Sequence, residues 1–108
     1  MLVGWLFYAW ISAALGEEVI YRGYFLPRIA GLFRNPKSGW VAGWLVSSLF
    51  FGFMHAYQGW AGFIGKLYFG LFLGALYIAN QRNLWMAIMV HGFVDTLGFL
   101  ALYFGWIG

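Results

Sequence analysis

Cysteine is absent from this chain, proline occurs twice, and only three residues, Glu17, Glu18 and Asp95, carry a negative charge. Without a thiol, a disulfide framework and a thiolate metal site are both excluded. Charged residues make up 8% and hydrophobic ones 64%, so the polar surface of an ordinary soluble domain is missing as well. A soluble chain of 108 residues could not hide that much apolar surface in one core. A lipid bilayer removes the difficulty, because it covers the surface itself. The net charge is +3, yet the basic residues are scattered between long apolar runs. No basic stripe exists, which excludes nucleic acid as a partner.

A spanning helix needs about 20 mostly apolar residues. Four stretches qualify, at approximately 2–26, 40–56, 60–79 and 84–104. The first is expected to stop at Pro27, which cannot continue a helix without losing a backbone hydrogen bond. The expectation is an all-α membrane protein, one domain over residues 1–108 folded as a bundle of about four transmembrane helices. Trp40, Trp60, Trp85 and Trp106 fall near the helix ends, where indoles favour the headgroup region. Gly70 and Gly74 form a GxxxG pair that lets a neighbouring helix approach closely.

Orientation follows from the basic residues. Arg28, Arg34 and Lys37 follow the first helix and Arg82 separates the third from the fourth. The opposite connector, "AYQGW", carries none, although Lys66 lies one to two turns into the third helix. The positive-inside rule then predicts a multi-pass protein of the cell membrane with the basic connectors cytoplasmic and both termini outside. The small residues of "ISAALG" look like a signal-peptide cleavage site, but no Lys or Arg precedes that apolar run, which argues against one.

The polar residues inside these spans share one spacing. Glu18 and Arg22 are i, i+4, as are His91 and Asp95, and Ser47, Phe51 and His55 make two such steps. Each set stacks on one side of its own helix. Glu17 is turned about 100° from Glu18 on a helical wheel. If Arg22 neutralises Glu18, Glu17 has no cation on its own helix. A lone carboxylate in low dielectric either takes up a proton or is paired across helices, and the candidates within the spans are His55 and His91.

Each set also has a plainer account. Glu18 with Arg22 could be an ion pair that fixes packing. A single intramembrane histidine is accounted for by an interhelical hydrogen bond, Asp95 could simply orient His91, and Phe51 could be core. Taken together they point further, because ionisable residues inside a membrane are by default functional. One free Glu, two His and one Asp suit hydrolysis. The glutamate can take a proton from water while neutral histidines bind the water or the developing oxyanion. Alternatively, His55, His91 and a carboxylate such as Asp95 could hold a divalent metal such as zinc. Ser47 lies two turns from His55, which makes a serine nucleophile less attractive.

"EEVIYR", "FGFMH" and "HGFVD" resemble the signatures EExxxR, FxxxH and HxxxN/D of the CAAX-protease and bacteriocin-processing (CPBP, or Abi) family of intramembrane proteases. The flanking "YRGYFLPRI" and "NLWMAIMVHGF" are similar too, so the resemblance covers nearly the whole chain. It implies an intramembrane endopeptidase with Glu17 as general base, supported by Glu18, Arg22 and Phe51. His55 would bind the water or a metal, and His91 with Asp95 would complete the site or stabilise the oxyanion. The implied substrate is a membrane-associated peptide, either a prenylated CAAX protein that loses its last three residues or a bacteriocin-like peptide. The family has been described both as metal-dependent and as glutamate-driven, and this sequence leaves both open.

Family members usually carry further spans before the first motif, whereas here only about one helix precedes it. A minimal version, a truncated chain, a homo-oligomer, or an assembly with helices from another chain would each account for that. Two rivals to the protease stand beside it: a non-catalytic scaffold or immunity protein that keeps the cluster for packing, and a proton or ion pathway. One conflict is visible in advance. Counted along the expected helices, Glu17 and His91 lie nearer the cytoplasmic side, while His55, at the far end of the second helix, lies near the outer side.

Overall fold

The computed structural model describes residues 1–106, which form four helices with no strand among them. Helix α1 is one uninterrupted helix over residues 2–30, built from α-helical ends (Leu2–Phe7 and Leu26–Ala30) and two π-helical segments, Tyr8–Glu17 and Val19–Phe25. Helix α2 is Pro36–Phe53, α3 is Gly59–Ala79 with a 3-10 turn at Ala56–Gln58 leading into it, and α4 is Leu84–Tyr103.

Three expected boundaries are corrected, the end of the first helix and both ends of the second. α1 passes through Pro27 to Ala30 instead of stopping before it. Pro27 stands in the first turn of the closing α-segment, directly after the π register in which the Leu26 N–H reaches back to the Tyr21 carbonyl. A proline is tolerated at such a first-turn position, where its missing N–H costs least. α2 begins at Pro36 and not at Trp40, because Asn35 caps it by accepting from the N–H groups of Lys37 (2.9 Å) and Ser38 (3.3 Å). It ends at Phe53 instead of Ala56, leaving His55 in the turn that follows.

Helix α1 runs antiparallel to both α2 and α4. Its second half meets α2 where glycines remove the obstacle of a side chain: Gly39 lies against the Ala30 carbonyl, and a Cβ on Gly43 would stand 2.6 Å from the Leu26 carbonyl oxygen. The rest of α1 packs on α4, with Trp5 against Phe99 (5.5 Å between ring centroids), Trp10 against Gly92 and Phe93, and Gly23 against Leu84. The expected GxxxG contact forms between α2 and α3, since Gly70 receives Phe51 and Gly74 receives Trp44, whose indole N–H donates to the Leu71 carbonyl at 2.8 Å. Helices α3 and α4 close the ring of four.

The interior combines apolar residues with a buried polar cluster. Of the eight largest side chains that are fully buried, five are polar: Arg22, His91, Glu18, Ser47 and Ser48. The outer surface carries the large apolar residues, among them Leu49, Phe53, Tyr68, Phe72 and Leu97, all at least half exposed. That arrangement is stable with lipid outside and costly in water. The segments Ala56–Ala79 and Leu84–Tyr103, each with mean hydropathy 1.6, are long and apolar enough to cross a membrane. Trp60, Trp85 and Trp106 project at the helix ends and are strongly exposed, while Trp40 lies beneath the Arg82 guanidinium at 4.9 Å.

The α1–α2 seam gives a direct test. Gly43→Val drives a branched side chain into the Leu26 carbonyl and is expected to destabilise the folded protein by about 1–3 kcal/mol. Gly4→Ala, where no atom stands within 4 Å of the new Cβ, is expected to be neutral or slightly stabilising. Thermal denaturation of both variants in the same detergent or lipid nanodisc checks the contrast.

Candidate active site

Four side chains that the sequence analysis singles out converge: Glu17 from α1, His55 from the turn after α2, and His91 and Asp95 from α4. The Glu17 carboxylate lies 3.4 Å from His91 Nε2 and 3.7 Å from His55 Nε2, and Asp95 Oδ2 lies 3.3 Å from the same His91 nitrogen. Glu17 is about a quarter exposed, whereas His91 is buried. A cavity of about 410 Å³ opens on Glu17, His55 and Asp95, with Tyr57, Gln58 and Lys66 among its other walls.

The conflict over His55 is resolved by the corrected boundaries. Because α1 continues to Ala30 and Gly39 sits opposite that residue, Glu17 is 13 residues up one helix and His55 is 16 residues up the other. The side chains cover what difference remains.

Each imidazole has its reactive nitrogen set by a bond on the opposite side of the ring. The last carbonyls of a helix lack backbone donors, and in α2 the Phe51 carbonyl is one of them, since the His55 N–H turns to Gly52. His55 Nδ1–H donates to the Phe51 carbonyl at 2.8 Å, which leaves Nε2 aimed at Glu17. His91 Nδ1–H donates to Glu18 Oε2 at 2.7 Å, which leaves Nε2 facing Glu17 and Asp95. That Nε2 has no hydrogen-bond partner of its own. A bare lone pair opposite two carboxylates would be repulsive, so this triangle holds a proton, on Nε2 or on a carboxylate.

Glu18 supports the site from behind. Its Oε2 also accepts from Arg22 Nη1 at 3.1 Å, and Arg22 Nη2 donates to the Gly70 carbonyl of α3 at 2.7 Å. Glu18 and Arg22 are both fully buried. The close approach to α3 requires glycine: a Cβ at position 70 would stand 3.2 Å from Arg22 Nη2 and 3.1 Å from the Phe51 ring. Phe51 lies under the Arg22 guanidinium at 4.9 Å and meets His91 edge-on at 6.1 Å. The group that orients His91 through Nδ1 is therefore Glu18. Asp95, considered for that task from its spacing, stands on the Nε2 side with Glu17.

Glu17 and Glu18 are successive residues of α1. They stand at the junction of two π-helical segments, where more residues per turn bring successive side chains closer in direction. Neighbours in sequence thus grip opposite nitrogens of one imidazole. Ser47 takes no part, since its hydroxyl donates to the Trp44 carbonyl at 3.3 Å. Lys66, Tyr57 and Gln58 also line the cavity, although no catalytic motif in the sequence includes them. The signal available for Lys66 was a cation inside a span with no acid at helical spacing.

The donor types suit a divalent ion: two Nε2 lone pairs and nearby carboxylate oxygens. As the side chains stand, no group of three His, Asp or Glu residues among the described ones is arranged as a metal cage, and Glu17 reaches both imidazoles directly.

A helical bundle with a glutamate, a histidine and an aspartate on one cavity, and a second histidine buried directly behind them, has the parts of a hydrolase. The chain matches the family model of type II CAAX prenyl endopeptidase Rce1-like proteins over residues 1–97, and it belongs to that protease family. No curated protein and no solved structure matches it.

Glu18→Gln and Arg22→Ala each leave a buried partner without its counter-charge and are expected to cost about 3–5 kcal/mol. Arg22→Lys is expected to fall short of rescue, since one ammonium cannot reproduce the two-pronged bond to Glu18 and Gly70. Thermal unfolding of the three variants in one lipid environment measures this.

Proposed function

We propose that this chain is an intramembrane endopeptidase that cleaves a membrane-associated peptide, with a prenylated CAAX-type protein as the substrate class, by glutamate-activated water. The observation that carries the reading is the placement of the Glu17 carboxylate between two imidazole nitrogens at the edge of a cavity. Membership of the type II CAAX prenyl endopeptidase family supports the substrate class.

In this mechanism water sits between Glu17 and His55 Nε2. Glu17 takes a proton from the water as its oxygen attacks the carbonyl carbon of the scissile bond. His91, protonated on Nε2 and held by Glu18 at Nδ1, turns that proton towards the developing oxyanion, and Asp95 offsets the charge of the imidazolium. Collapse of the tetrahedral intermediate breaks the C–N bond, and Glu17 passes its proton to the departing amine. The new carboxyl group gives its remaining proton to the amine, so the products leave as a carboxylate and an ammonium, and Glu17 is again free to accept a proton. His55 and His91 Nε2 with Asp95 are the groups that would hold a divalent ion, which would supply acidification of the water.

The membrane bilayer is the surrounding medium in this reading. The basic connectors face the cytoplasm, following the charge asymmetry of Arg28, Arg34, Lys37 and Arg82.

Glu17→Gln keeps the shape of the side chain and removes its capacity as a base. The expected result is loss of peptide cleavage by at least about a hundredfold, the lower end of a general base's contribution, with folding and membrane insertion intact. Cleavage of a prenylated reporter peptide by purified protein in nanodiscs checks it. Cleavage as fast as wild type overturns the assignment, and a binding or immunity phenotype that survives both Glu17→Gln and His91→Ala favours the scaffold.

A further inference from the structure

Lys66 is the cation in the cleft that the proposed chemistry leaves unused. It lies on α3, half-buried, about 10 Å along the helix from its start. A lysine at that position could extend to the membrane surface. Its ammonium lies instead over the Phe69 ring, 5.6 Å from the centroid, and Phe69 in turn meets His91 edge-on at 5.1 Å. Lys66 thus stands on the side of α3 that faces the site. It forms no ion pair among the described residues, although it lines the same cavity as Glu17 and Asp95.

That cavity does not end at Lys66. A second hollow of about 280 Å³ adjoins it and shares Gln58, Lys66, Val94 and Asp95, with Ala61, Gly62 and Gly65 as small-residue walls on α3. A peptide laid across Glu17 can continue past Lys66 into this hollow. An ammonium in low-dielectric surroundings is costly unless an anion meets it. Any peptide whose end lies in the cleft brings one such anion whatever its sequence, namely its α-carboxylate.

We infer that Lys66 binds the free C-terminal carboxylate of the substrate and so fixes how far from the chain end the cut falls. This rests on the peptidase reading above, and makes Lys66 a specificity-determining residue with no part in the proton transfers. Cleavage then requires a free carboxyl terminus, and blocking that terminus is equivalent to removing the lysine.

The experiment compares a prenylated reporter peptide ending in a free carboxylate with its C-terminal amide, using the full chain in nanodiscs. The wild-type protein is expected to favour the acid by about 10- to 100-fold in kcat/KM, the range for a charge-assisted hydrogen bond, with the difference carried by KM. Lys66→Met is expected to bring the acid-to-amide ratio to about one, and Lys66→Arg to restore most of it. Equal cleavage of acid and amide by wild type, or an unchanged ratio in Lys66→Met, overturns the inference, as does a preference that follows an internal Asp or Glu instead of the terminus. Equilibrium binding of the two peptides to Glu17→Gln protein separates this inference from the peptidase reading. Preferential binding of the acid that Lys66→Met abolishes, without turnover by wild type, leaves the anchor standing and removes the hydrolysis. Turnover with equal binding does the opposite.

Discussion

One carboxylate oxygen holds the interior together. Glu18 Oε2 accepts from Arg22 on its own helix and from His91 on α4, while Arg22 reaches the Gly70 carbonyl on α3. Three helices therefore meet through a single buried ion pair. Taking both charges out of water is expensive, and such a pair is at best a modest source of net stability. Its consequence is specificity of arrangement. If α3 shifts along its axis Arg22 loses the Gly70 carbonyl, and if α4 rotates His91 loses Glu18. In lipid, where apolar contacts hardly distinguish one helix register from another, polar bonds of this kind choose among packings that are otherwise nearly equal.

From that fixed point the site is assembled by default. Glu18 takes one nitrogen of His91, so the other is presented to Glu17 and Asp95. The Phe51 carbonyl, orphaned at the end of α2, takes one nitrogen of His55, so the other is presented to Glu17 as well. In both rings a bond on the far side fixes the tautomer and the direction of the near side. Phe51 contributes twice, through its carbonyl and through the ring beneath Arg22. The backbone tie accounts for the four-residue spacing to His55, and the ring beneath Arg22 gives the side chain itself a place at the site.

Much of this was legible in the sequence, for identifiable reasons. Four apolar runs are strong signals, and the helices α3 and α4 match their expected spans to within a residue, at Gly59–Ala79 and Leu84–Tyr103. The Glu18–Arg22 pair follows from spacing alone, and the search for a partner to Glu17 narrows to His55 and His91 because so few ionisable groups exist. Periodicity could not locate the end of α1, since whether Pro27 breaks a helix depends on the register before it. Nor could it show that Glu18 would bond across to His91, because i, i+4 spacing describes contacts within a helix and is silent between helices. The i, i+4 spacing brings Asp95 beside His91, and which ring nitrogen it meets, Nε2, is a matter of side-chain geometry that spacing does not carry.

The π-helical register of α1 connects these points. Glu17 and Glu18 stand where its two π-helical segments meet, and the turn per residue there is somewhat smaller than the 100° of an α-helix. Glu18 meets His91 Nδ1 at 2.7 Å, and Glu17 faces Nε2 at 3.4 Å. π-helical turns occur mainly as isolated features and are concentrated at functional sites. In α1 they extend from Tyr8 to Phe25, apart from Glu18 itself. Ala9, Ala13 and Ala14 are buried within this stretch, and the broad Trp10 ring is turned onto Gly92. The doubled glutamate is thereby accounted for in physical terms. One carboxylate is committed to structure and its neighbour is left at the cavity, and both face the same histidine from adjacent positions of one helix.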